Sequence, residues 1–118
     1  MQNETILSEN DYKSDYIYRV DKFIVPDVGY DEFLNAVKKT HILLRKLPGF
    51  RQDFILKQIS GPGIYNFVTV VEWDNNDFLV EAMQTVRLMQ ERDNFYPQEI
   101  MKRLDIKGDF SISKSINL

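Results

Sequence analysis

His41, Asp21 and Trp73 are the side chains of this chain whose types and settings could act on a bound molecule. His41 is the single histidine of 118 residues. It falls where a helical stripe of Phe33, Leu34, Val37 and Leu44 predicts an apolar side chain. An imidazole titrates near neutrality, so a histidine turned toward a cleft could take or return a proton. The same position also suits a core histidine with one hydrogen bond. Asp21 stands inside a run of β-branched and aromatic residues, where a carboxylate is poorly favoured and, once buried, needs a partner. Arg19 would share its strand face, so the pair reads either as a structural ion pair or as part of a proton-handling site.

Trp73 closes the run Ile64 to Trp73, which is apolar on both faces when read as a strand. One face carries Tyr65, Phe67, Thr69, Val71 and Trp73, and the other Ile64, Asn66, Val68, Val70 and Glu72. Trp73 could wall a pocket or simply cap the sheet as core. Asn66 is a second polar group among apolar neighbours, fit for a ligand or for an interface hydrogen bond. Met83, Val86 and Met89 form a helical stripe that could line an apolar pocket or belong to the core. Ser60-Gly-Pro-Gly63 lacks the spacing and following helix of a phosphate loop and reads as a hairpin turn. With no cysteine and no paired histidine spacing, the chain offers no familiar metal-ligand set.

The elements that must position these groups follow from pattern. Strands are expected at 16–25, 50–59, 64–73 and 109–116. Helices are expected at 30–47, 75–92 and 96–104, the first stopped by Pro48-Gly49 and the second opened by Asp74-Asn-Asn. The order β-α-β-β-α-(α)-β is the split βαβ, ferredoxin-like arrangement, an α+β fold with a four-stranded antiparallel sheet. Right-handed crossovers put its helices on one side of the sheet. The other side would be bare and, in this chain, apolar. A second copy packed sheet against sheet would cover it, so a homodimer is expected. Residues 1–15 read as a flexible tail and 16–118 as one domain.

Charge narrows the partners. Residues 1–15 hold Glu4, Glu9, Asp11 and Asp15 against Lys13, which accounts for the whole net charge of −3. A neutral body lacks the basic footprint of a nucleic-acid binder. No run is long and apolar enough to span a bilayer, and no secretory leader is visible. Together with the absence of cysteine, this leads to an expected cytoplasmic location.

The helix ending in Leu47-Pro-Gly-Phe50, the hairpin, the strand closing in Glu72-Trp73 and the helix directly after it resemble the antibiotic biosynthesis monooxygenase (ABM) superfamily of dimeric α+β barrels, over about residues 16–116. The resemblance implies a pocket between the sheet and the first two helices, with Trp73 in its wall. It sets Asp21 where the haem-degrading branch has an Asn, and Thr69 where the quinone-forming branch has an Asn four residues before the Trp. The stretch Glu81-Ala-Met-Gln84 falls where the haem branch carries its axial histidine, and it has none. What the resemblance then implies is oxygen insertion into a small aromatic or polyketide-like molecule without cofactor, the substrate supplying the electrons. Trp73 would stack on it, Thr69, Asn66, Phe67 and Met83 would contact it, and His41 or Asp21 would take its proton. A non-enzymatic binding or sensing module, or an isomerase or cyclase, would use the same pocket.

Overall fold

In the computed structural model, residues 11–117 are described. The chain order is β1 (Ile17–Ile24), a 3₁₀ turn (Asp27–Gly29), α1 (Tyr30–Leu44), β2 (Phe50–Lys57), β3 (Phe67–Trp73), α2 (Asn76–Asp93), α3 (Pro97–Arg103) and β4 (Lys107–Ser113). The strands form one antiparallel sheet in the order β2-β3-β1-β4. This is the ferredoxin-like α+β fold, with the helices over one face.

Register decides which side chains meet beneath those helices. β1 pairs with β3 so that Ile17 faces Trp73, Arg19 faces Val71, Asp21 faces Thr69 and Phe23 faces Phe67. Successive side chains alternate across a strand, so these eight share the helix-side face. They sort along it by polarity. At one end Ile17, Val71 and Trp73 join Leu44, Leu79 and Ala82 in a buried cluster. At the other, Phe23 and Phe67 join Val25, Phe33 and Ile106. Phe23, Phe33 and Phe67 meet edge to face at centroid distances of 4.9–6.0 Å. Arg19, Asp21 and Thr69 lie between the two clusters.

The Pro48-Gly49 break is a geometric necessity. Gly49 has φ +82°, a conformation costly to any residue with a Cβ. A Cβ there would come within 2.2 Å of the Phe78 ring. The Gly49 carbonyl accepts from the Asp74 amide at 2.8 Å, tying the end of α1 to the exit of β3. The following helix α2 is capped by Asn75, whose side chain accepts from the Phe78 amide at 3.2 Å.

α1 ends at Leu44 and not at 47, β4 lies at Lys107–Ser113 and not at 109–116, and the β2–β3 hairpin departs from pattern in two further ways. A β-bulge between Phe50 and Gln52 makes Arg51 an extra residue. Phe50 therefore packs inward against Trp73, while Asp53 and Ile55 also lie on the inner face, opposite Val71 and Thr69. The hairpin connection is 58–66 and not a tight turn at 60–63, so Ile64, Tyr65 and Asn66 precede β3. Asn66 closes the end of β1 instead. Its side chain accepts from the Val25 amide and donates to the Val25 carbonyl, both at 2.8 Å. The Gln58 amide group donates to the Gly61 and Gly63 carbonyls and holds the loop.

The outer face of the sheet is apolar over β2, β3 and β1. Phe54 and Leu56 are each half-exposed there. The polar side chains of that face include Lys22, Gln52 and Glu72, the last a buried carboxylate satisfied by the Arg51 guanidinium and the Gln52 amide. Of the segment expected as a tail, residues 1–10 lie outside the described residues. Tyr12 pairs with Ile116 in an antiparallel bridge, and the Lys13 amide donates to the Ser115 carbonyl at 2.9 Å. Among the described residues no helix is long and apolar enough to cross a membrane.

Gly49→Ala should lower stability by about 2–4 kcal/mol, combining positive-φ strain with the Phe78 overlap. Urea unfolding would measure it, and a loss under half a kilocalorie would contradict this account of the turn.

Candidate functional site

Between the two apolar clusters the sheet and helices enclose a cavity of two adjoining lobes, of about 230 and 340 Å³. The lobes share Arg19, Asp21, Thr40, His41 and Thr69 in their walls, with Gln90 and Gln98 from the helices. One lobe runs toward Phe23, Phe33, Met101 and Phe110. The other runs toward Leu44, Trp73, Met83 and Val86. An apolar cleft with a few placed polar groups is the usual form of a small-molecule site.

Each polar group is set by its element. Asp21 and Arg19 face the cavity because their strand alternates. The Arg19 Nε donates to the Asp21 carboxylate at 2.8 Å, and an Arg19 Nη1–H reaches the Met83 sulfur at 3.4 Å. Burial pushes the Asp21 carboxyl above its ordinary value, outweighing the hydrogen bond and charge of Arg19 and the nearby His41. His41 projects from α1 onto the sheet and is 6 % exposed. Its Nδ1 lies 3.0 Å from Oδ2 of Asp53 on β2. Arg45, the C-cap residue just past α1, grips the same carboxylate from outside, with Nε donating to Oδ2 at 3.0 Å and Nη2 to Oδ1 at 2.9 Å. Burial opposes ionisation of Asp53, but the hydrogen bonds from Arg45 and His41 outweigh it and hold its pKa below the ordinary range.

Trp73 is fully buried and walls the second lobe. Its indole N–H has no hydrogen-bond partner among the described residues. Of the residues singled out by sequence, His41, Asp21, Thr69, Trp73 and Met83 come together around the cavity. Asn66 and Phe67 do not line it. Asn66 is committed to Val25, and Phe67 is fully buried in the aromatic cluster. The sequence reading passed over Asp53, Gln90 and Gln98. The signal for Asp53 was present: a carboxylate two residues before Ile55, within reach of the histidine that interrupts α1. Among the described residues no cluster of histidines and carboxylates could hold a metal ion.

The two cavity-side aspartates should give opposite pH signatures. The folded pKa of Asp53 is depressed, so its contribution is present above the ordinary aspartate range and lost as pH falls through the folded value. The folded pKa of Asp21 is raised, so its contribution is fully present below the ordinary range and lost as pH rises through the folded value. The stability of the native chain relative to Asp53→Asn should therefore grow with rising pH, and relative to Asp21→Asn should shrink. Denaturant titrations across the acid range would measure both slopes, and slopes of the same sign would refute the assignment.

Comparison with known proteins bears on the fold. No family model and no curated protein matches the chain. Solved structures do. SnoaB, a cofactor-independent oxygenase from Streptomyces nogalater, superimposes with a TM-score of 0.68 at 15% identity, over 89% of this chain and 97% of that one. A protein from Shewanella loihica PV-4 named as a monooxygenase gives a TM-score of 0.67 at 14% identity, over 89% and 98%. A protein from Nitrosomonas europaea named as an antibiotic biosynthesis monooxygenase gives 0.63 at 13% identity, over 93% and 95%. At these identities the likeness is one of architecture. The chain has the ferredoxin-like fold of the antibiotic biosynthesis monooxygenases.

Proposed function

We propose that the protein is a cofactor-independent monooxygenase acting on a small, electron-rich aromatic molecule held in the two-lobed cavity. The observation that carries this reading is the cavity itself, with His41, Asp21 and Thr69 at the junction of two apolar lobes. The fold shared with SnoaB, a cofactor-independent oxygenase, supports it. A phenol with a free ring C–H suffices as substrate. Loss of its O–H proton raises the electron density of the ring. A ring carbon then bonds to dioxygen, and departure of the distal oxygen as water leaves a quinone. One phenol and one dioxygen become one quinone and one water, the phenol giving all four electrons. His41 or Asp21 takes the first proton, Trp73 stacks on the ring, and Arg19 and Met83 bound the chamber. We place the activity in the cytoplasm, in keeping with a chain without cysteine.

Oxygen uptake with naphthols and hydroquinones tests the reaction. Uptake above the rate without enzyme, reduced at least tenfold in His41→Ala while that variant stays folded, is the expected result. Thermal stabilisation by the same compounds without uptake would instead favour a binding or sensing module. The absence of both uptake and stabilisation would remove the pocket reading altogether.

We also propose a homodimer through the outer sheet face. Phe54 and Leu56 expose 50% of their surface there, beside Val20, Val68 and Val70. A patch of this kind on a soluble domain calls for a cover, and a face that is its own complement suits a two-fold axis. Light scattering at micromolar concentration should give twice the chain mass, and Phe54→Lys should shift it toward the single chain. A monomeric parent protein would overturn the proposal.

A further inference from the structure

His41 and Asp53 form a buried pair that no reading of the cavity alone requires. Their side chains are 7 % and 5 % exposed, and the bond between them joins α1 to β2 across the cavity edge. The carboxylate is already doubly bonded by Arg45, so it is fixed in place before the imidazole meets it. A carboxylate held ionised in this way accepts hydrogen bonds only. The ring nitrogen facing it must therefore carry a proton. The other ring nitrogen, Nε2, makes no hydrogen bond among the described residues. His41 lines both lobes, and with Nδ1 on Asp53 the ring nitrogen left to meet an occupant of the cavity is Nε2. Arg19 and Asp21 face the same space but satisfy one another.

We propose that Asp53 is the positioning residue of the site, holding neutral His41 as the Nδ1–H tautomer so that the Nε2 lone pair takes the proton of an acidic hydroxyl bound in the cavity. The inference rests on the pocket reading above and decides between its two candidate proton acceptors. Asp21 keeps Arg19 neutralised, and His41 does the proton work. The transfer balances simply: the O–H bond of the ligand breaks, an N–H bond forms at Nε2, and a phenolate stands beside an imidazolium whose other N–H remains on Asp53. The ligand class is then a weakly acidic phenol or enol. A carboxylic acid, already ionised, would bring no proton to transfer.

The single histidine makes the test unambiguous. Long-range proton–nitrogen NMR of the unliganded protein, at a pH where the ring is neutral, reads the tautomer directly. The expected state is Nδ1–H with a bare Nε2. Asp53→Asn, whose amide can donate as well as accept, should lose that preference, and Asp53→Glu should restore it. A native ring in the Nε2–H form overturns the proposal without reference to any variant. So does a folded Asp53→Asn protein with an unchanged tautomer. The second arm uses 4-nitrophenol, whose phenolate absorbs visible light. Binding should raise the phenolate signal and convert the imidazole resonances to those of imidazolium, and Asp53→Asn should reduce the phenolate gain about tenfold. Binding without ionisation leaves the pocket reading standing and overturns the role of His41 as proton acceptor. Absence of binding together with an Nδ1–H ring overturns the pocket reading and the proton transfer with it, and confirms only the positioning by Asp53.

Discussion

The antiparallel register of β1 against β3 is the constraint from which the rest of the interior follows. It sets Asp21 opposite Thr69, with Phe23 and Phe67 to one side and Ile17 and Trp73 to the other. A slip of β1 by one residue would turn Ile17, Arg19, Asp21 and Phe23 to the outer face and bring Tyr18, Val20 and Lys22 inward. Two apolar clusters thus flank a polar band, and the helices bridge from one cluster to the other. The gap left above the band is the cavity. Its position is a property of where polar residues fall along two strands, and no special loop is needed to make it.

The polar band is stable because each charge in it is matched. A buried carboxylate without a partner would be strongly destabilising, and breaking one such pair typically costs about 3–5 kcal/mol. Asp53 has two partners, one from α1 and one from its C-cap, and Asp21 has Arg19 from its own strand. The two cases differ in consequence. Asp53 is made more acidic by its partners, so it is a fixed anion. Asp21 has one partner and more desolvation than that partner offsets, so its charge is the less settled of the two. Across the sheet, the buried Glu72 carboxylate accepts hydrogen bonds from Arg51 and Gln52.

Much of the fold was legible because its strands and helices obey their periods. The α1 stripe and the capped start of α2 appear where local chemistry puts them, while α1 ends at Leu44, ahead of the Pro48-Gly49 stop. The inner and outer faces of β2 were harder. Phe54 and Leu56 look like core beside Asp53 and Lys57, yet they face outward. In a sheet apolar on both sides, hydrophobicity cannot say which face meets the helices. The bulge at Arg51 adds a second ambiguity, because one extra residue reverses Phe50 relative to the rest of the strand. Asp53 was missed for that reason, and with it the meaning of His41. Asn66 misled in the opposite way. A lone amide in an apolar run suggests a ligand contact, but it serves the backbone of Val25, a partner 41 positions away that no local pattern reveals.

The condition of Trp73 gives this protein a built-in optical probe. It is the only tryptophan of the chain, fully buried, without a hydrogen-bond partner for its indole nitrogen among the described residues. A fully buried indole emits toward the blue. The ring also walls the larger lobe. Any occupant of that lobe, or any water drawn into it, changes the polarity against one face of a single fluorophore. Emission wavelength therefore reports the filling of the chamber at equilibrium, with no label and no background from a second indole.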